Sequence, residues 1–168
     1  GGTPGTDGTP GADVPATTQS QSAAPTPTSS AAGQGGEPVS WAVVLAQLDD
    51  KRSQAFATGN QELLGQVSKV GSVAALRDRS LLAQLAELGV KAVGMKATIV
   101  AVSVTRRDAT SVELAVADEL SSYRIVRATS GQEVEVRPAR TAKNWRVTLE
   151  SIGGRWLLVD SVESSKQP

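Results

Sequence analysis

The first 38 residues hold a single branched aliphatic side chain, Val14, and that scarcity decides how much of this 168-residue chain can fold. The segment is built almost wholly from Gly, Pro, Ser, Thr, Ala and Gln, with three acids (Asp7, Asp13, Glu37) and no Lys or Arg. Such a composition buries too little apolar surface to offset the entropy of fixing a backbone. Residues 1–38 therefore read as a disordered, flexible linker, with polyproline character around Pro25 and Pro27. The remaining residues, about 130, are the size of one domain with one core. That domain is expected over 39–163, followed by a short disordered tail at 164–168.

Charge and residue content narrow the chemistry. The chain is neutral overall, but without the acids of the linker the rest carries +3, from 17 basic and 14 acidic residues. That bias is weak for a nucleic-acid binder, and one Tyr and one Phe offer little for base stacking. Arg137, Arg140, Lys143 and Arg146 lie close together, and the plainer account of them is a solvated loop and strand edge. There is no Cys and no His. Disulfides, thiolate chemistry and the commonest general base and metal ligand are thus excluded, and no cofactor or metal is expected. No apolar run approaches the roughly 20 residues of a membrane span. A Gly-Gly start in place of Met, ahead of a Pro/Ser/Thr/Ala tether, suggests a processed piece behind a signal peptide or membrane anchor. The expectation is an extracytoplasmic domain, membrane-anchored or secreted, that meets a membrane only through such an N-terminal anchor.

The order of periodicities predicts the fold class. With Ser40 as N-cap, Trp41, Val44, Leu45, Leu48, Ala55 and Phe56 recur at helical spacing, while Gln47, Asp49, Asp50, Lys51 and Gln54 are assigned to the solvent face. Gly59 ends that helix, and Asn60 caps a short second one through Leu63 and Leu64. A third helix is predicted from Val73 to Leu88, burying Leu81, Leu82, Leu85 and Leu88. After Gly94 the pattern alternates: Ile99 to Val104, Val112 to Val116, Tyr123 to Arg127 and Glu133 to Arg137, where Pro138 closes an edge strand. Trp145 to Ser151 and Arg155 to Val162 then flank Gly153-Gly154 as a two-residue hairpin. Three helices ahead of an antiparallel meander make an α+β domain with its helices on the concave face of a curved sheet.

These residues carry a family resemblance. The opening Trp41-x-x-Val44-Leu45-x-x-Leu48-Asp49-x-x-Arg52-x-x-Ala55-Phe56-Ala57-Thr58-Gly59, the Gly71-Ser72 junction, and the closing Trp145-Arg146-Val147-Thr148-Leu149 and Gly154-Arg155-Trp156-Leu157-Leu158-Val159-Asp160 resemble the nuclear transport factor 2-like (SnoaL-like) superfamily. The Ala/Val/Arg-rich wording is similar to extracytoplasmic domains that actinobacterial membrane proteins carry on a Pro/Thr-rich stalk. The resemblance implies a cone-shaped fold with a pocket between helices and sheet, which Trp41, Phe56, Trp145 and Trp156 would line. It also implies a choice among isomerase or cyclase chemistry, ligand binding and assembly.

Candidate chemistry rests on three residues. With Gly153-Gly154 as the turn, Ile152 pairs with Arg155, Leu149 with Leu158, Val147 with Asp160 and Trp145 with Val162. Asp160 then shares the buried face with Trp145, Val147, Leu149, Trp156 and Leu158, and a bulge would move it off that face. Asp118 extends the inward series Val112, Leu114, Val116, and Tyr123 follows shortly after. A Tyr hydroxyl beside carboxylates in an apolar cone suits proton shifts next to a carbonyl. Asp118 and Tyr123 could as well belong to a turn and to ordinary core. No positioned catalytic set emerges. The favoured expectation is a non-enzymatic module that binds a protein partner or a small hydrophobic ligand. An isomerase- or cyclase-type enzyme using Asp118, Tyr123 or Asp160 is the first alternative. A spacer or homodimer pairing through Leu157 and Val159 on the outer sheet face is the second.

Overall fold

Residues 38–168 are described by the computed structural model. The linker expected over 1–38 falls almost wholly outside them. Trp41–Pro168 makes up one compact unit. It opens with α1 (Trp41–Thr58), whose last turn closes through the Gly59 amide on the Ala55 carbonyl, 2.8 Å. Gly59 takes φ +76°, a left-handed conformation that Gly adopts without the Cβ penalty. Asn60 then caps a 3-10 helix, Gln61–Gln66, by accepting the Glu62 amide. Ser72 caps α2 (Val73–Glu87) through the Ala75 amide at 3.1 Å.

Seven strands follow: β1 (Val90–Val93), β2 (Ala97–Arg107), β3 (Ser111–Leu120), β4 (Tyr123–Arg127), β5 (Glu133–Arg137), β6 (Arg140–Ile152) and β7 (Arg155–Glu163). The fold class is α+β, helices first and antiparallel strands after. The expected single meander is corrected in one respect. The strands form two sheets, β1-β4-β5 and β2-β3-β6-β7. The cause is β1, four residues between Gly89 and Gly94, which pairs with β4 and draws β4 and β5 away from β3.

Two apolar layers hold the unit together. Phe56, Leu64, Leu82, Ala92, Met95 and Ile125 pack helices against the three-stranded sheet. Val112, Leu114, Val147 and Leu149 are buried along one face of the four-stranded sheet, where Val112 faces Leu149 and Leu114 faces Val147. Alternation along paired strands puts these side chains on the same side. The phase of α2 differs from expectation: Ala74, Ala75, Asp78 and Leu82 are buried, whereas Leu81 and Leu88 are 40% and 72% exposed. Leu81 lies a quarter-turn off the 74/78/82 row, and Leu88 is already the C-cap.

The closing hairpin turns at Gly153 and Gly154, with φ of +59° and +81° as a type I′ turn requires. Its register follows the expected pairs Ile152 with Arg155 and Leu149 with Leu158, then slips. Val159 is an extra residue between the Leu158 and Asp160 pairs, so Thr148 faces Asp160, Val147 faces Ser161 and Trp145 faces Glu163. Asp160 therefore leaves the face that carries Val147 and Leu149. The free edge of β7 is partly covered, because the Lys69 amide donates to the Leu158 carbonyl and the Leu158 amide to the Val67 carbonyl. Leu157, expected as an outer-face dimer contact, is buried within the unit itself. At the chain's end the Ser164 amide donates to the Asn144 carbonyl, 2.9 Å.

Candidate functional site

A half-open cavity of about 510 Å³ lies between the helices and the four-stranded sheet. Its walls are mainly aliphatic: Leu45 and Leu48 from α1, Ile99 from β2, Val116 from β3, Val147 from β6 and Leu158 from β7. Six charged groups also reach it, namely Asp49, Arg52, Arg77, Asp78, Asp118 and Arg140. Charge in an apolar wall is costly unless it is paired. The way each group is paired therefore decides what the cavity can do.

Arg52 and Asp78 form a bidentate pair, Nε to Oδ2 at 2.7 Å and Nη2 to Oδ1 at 2.9 Å. The guanidinium also lies over the Phe56 ring, 4.9 Å from its centroid. Burial pulls the Arg52 pKa down, but the two Asp78 bonds and neighbouring negative charge outweigh it and leave it raised. Asp118 Oδ1 accepts from Arg140 Nη2 at 2.9 Å and from Trp145 Nε1 at 2.8 Å, and the Asp118 carbonyl accepts from Arg140 Nη1. Arg77 reaches the Asp160 carboxylate at 3.6 Å and donates to the Ser161 carbonyl.

Asp49 is different. Its Oδ2 accepts the Ala97 amide at 2.9 Å, which fixes the start of β2 against α1. Among the described residues no cation forms an ion pair with it: Arg52 pairs with Asp78, and Lys96 sits 3.7 Å from Asp50. Burial raises the Asp49 carboxyl above its ordinary value, against the pull of the Ala97 hydrogen bond, Arg52 and Lys96.

Of the residues singled out in the sequence, Asp118 and Trp145 line the cavity. Asp160, displaced by the Val159 bulge, accepts its neighbour's amide from Ser161 and meets Arg77. Tyr123 packs against the Phe56 core and does not reach the cavity. Trp41 and Trp156 do not line it either. They pack edge to face, centroids 5.0 Å apart, with Arg107 against both rings. Phe56 is fully buried in the other core. Asp118, Tyr123 and Asp160 are thus not brought together.

Asp49 lines the cavity, which corrects its expected place on the solvent face, and neither Arg52 nor Asp78 is singled out as a site residue by the sequence, though a signal existed. Asp49 and Arg52 stand four and seven residues after Leu45, on the buried stripe itself, and Asp78 stands four before Leu82 on the buried row of α2. The basic run is individually neutralised as well: Arg137 by Glu135, Arg140 by Asp118, Lys143 by Glu163 and Arg146 by Glu113. Among the described residues no three His, Cys, Asp or Glu side chains lie close enough to hold a metal ion, and no helix is long and apolar enough to cross a membrane.

Comparison with solved structures gives the intermembrane space region of the chloroplast protein ARC6 at a TM-score of 0.52. It shares 17% identity over 77% of this chain and 100% of that one. The fold is nuclear transport factor 2-like in type. A cystatin-like protein of unknown function from Nostoc punctiforme aligns at a TM-score of 0.40 and 9% identity, covering 75% of this chain and 92% of that one. No protein-family model and no curated protein matches the chain.

Proposed function

We propose that the domain is a non-enzymatic binding module that takes a small, largely apolar molecule into its cavity. The observation that carries this reading is the half-open space of about 510 Å³ with aliphatic walls, whose arginines are each held by a carboxylate. That volume falls within the range of small-molecule sites. The setting of Asp118 favours binding over catalysis. A general base must be free to take a proton, and its Oδ1 already accepts two hydrogen bonds.

The setting we propose is outside the cytoplasm, with the domain carried on its Pro/Ser/Thr-rich stalk by a membrane or secreted protein of the actinobacterial, SnoaL-like kind. Support comes from the composition of residues 1–38 and from the neighbour that is itself an intermembrane space region. In that setting the module serves a larger protein, delivering or sensing its ligand.

The test is fluorescence titration of the whole chain with an apolar probe dye displaced by n-octanol, alongside Ile99→Trp. Ile99 lines the cavity and is only partly buried, so a larger side chain there fills the space without breaking the core. Saturable one-to-one binding, weakened about tenfold or more by I99W, is the expected result. Absence of saturable binding, or equal binding by I99W, would overturn the reading.

A further inference from the structure

The six charges that line the cavity balance, three acids against three arginines, yet they do not pair off among themselves, because Arg77 turns to Asp160 outside the lining. Arg52 belongs to Asp78, Arg140 to Asp118 and Arg77 to Asp160, and Lys96 pairs with Asp50. Three arginines and a lysine thereby use up four carboxylates. Asp49 is left over as the lining acid without an ion pair among the described residues, and Arg52 and Lys96 attract it only from farther off. It spends one oxygen, Oδ2, on the Ala97 amide, and its Oδ1 has no hydrogen-bond partner among the described residues. A carboxylate that lines a largely aliphatic cavity is stabilised by a donor that brings positive charge with it.

We propose that the cavity selects amphipathic cations, molecules with a protonated amine that sits on Asp49 and an alkyl or ring body that packs against Leu45, Ile99, Val116 and Leu158. The inference rests on the cavity-binding reading and adds the ligand's charge to it. The position of Asp49 supports the arrangement, because α1 presents it beside Leu45 and Leu48 on the cavity side. The three arginines compete only weakly for an anionic headgroup. Arg52 and Arg140 each make two or more hydrogen bonds to carboxylate or carbonyl oxygens, and Arg77 is shared between Asp160 and Ser161. Each keeps free N–H groups, but its charge is already offset by a carboxylate, which weakens its pull on an anion.

Three probes of equal length separate the terms: n-octylammonium, n-octanol and n-octanoate, titrated by calorimetry at neutral pH into the whole chain, into Asp49→Asn and into Glu87→Gln. Glu87, at the exposed end of α2, controls for net charge alone. Octylammonium should bind the wild type more tightly than octanoate. It should lose about tenfold or more in affinity in D49N, the usual weight of a hydrogen bond to a charged group. E87Q should stay within about twofold, and octanol affinity should change by less than about threefold in D49N. Octanoate binding as well as octylammonium would overturn the inference and leave the binding module standing. So would a D49N variant that keeps its octylammonium affinity. Failure of octanol and octylammonium alike would overturn both. The wild-type comparison of the three probes stands even if D49N does not fold.

Discussion

Removing the Asp78 carboxylate tests the pairing argument most directly. Asp78→Ala leaves the Arg52 guanidinium in the cavity wall with neither of its bonds at 2.7 and 2.9 Å. Breaking a buried pair from one side costs about 3–5 kcal/mol, because the surviving charge stays desolvated and uncompensated. Here the Asp78 side chain is 7% exposed but that of Arg52 is 30% exposed, and the Phe56 ring still lies under the guanidinium. Those two facts place the loss at the lower end, about 3 kcal/mol. For a urea slope of about 2 kcal/mol/M the unfolding midpoint falls by about 1.5 M. The assay is equilibrium urea unfolding followed by tryptophan fluorescence, since all three Trp lie in the folded unit. The companion variant, Arg52→Met with Asp78→Leu, removes both charges and keeps apolar volume. It should return to within about 1 kcal/mol of wild type. A single variant that loses less than about 1 kcal/mol, or a double as unstable as the single, would refute the reasoning.

Two further outcomes follow from the same wall. Burial lifts the Asp49 carboxyl above 3.8, so the folded chain keeps a proton that the unfolded chain has released. That contribution is fully present below the ordinary value and is lost as pH rises through the raised one. Thermal melts of wild type and Asp49→Asn from about pH 3.5 upward should show wild type losing ground to the variant on that climb. A gap that stays constant or moves the other way contradicts the assignment. Ser68 is 1% exposed and its hydroxyl has no hydrogen-bond partner among the described residues. Ser68→Ala should therefore raise stability by about 1 kcal/mol in the same urea assay, and a loss of that size would show that the hydroxyl is satisfied.

The architecture was legible where local chemistry leaves little choice. Asn60 and Ser72 supply cap side chains, Gly59 and Gly153-Gly154 reach the positive φ that other residues avoid, and the breaks they predict are the breaks observed. Alternation of Val112, Leu114 and Val116 likewise set the inward face of β3 and carried Asp118 onto it. Two kinds of feature were not legible. Val90–Val93 is too short to show a period, so the second sheet escaped notice, although its pairing with β4 organises the whole strand order. Polarity assigns Asp49 to the solvent face and gives Arg52 and Asp78 no site role, although their spacing places all three on the cavity side. A charged residue on a buried helical row looks like an error of phase until its partner is known, and Arg52 and Asp78 are 26 residues apart. The bulge at Val159 shows the same limit in a strand, since no residue type in Leu158-Val159-Asp160 marks it.

That bulge has a consequence for how such domains diversify. Leu158 and Ser161 both line the cavity, so β7 turns inward, steps once, and turns inward again. Pairing Val159 with Thr148, so that the step vanishes, would restore plain alternation and bring Asp160 opposite Val147, while Arg77 would lose the carboxylate that now holds it. The wall would gain an acid and release a cation without any substitution in the residues that face the cavity. In this fold a shift of one residue in strand register resets the chemistry of the pocket, and homologues should be compared there by register before they are compared by residue.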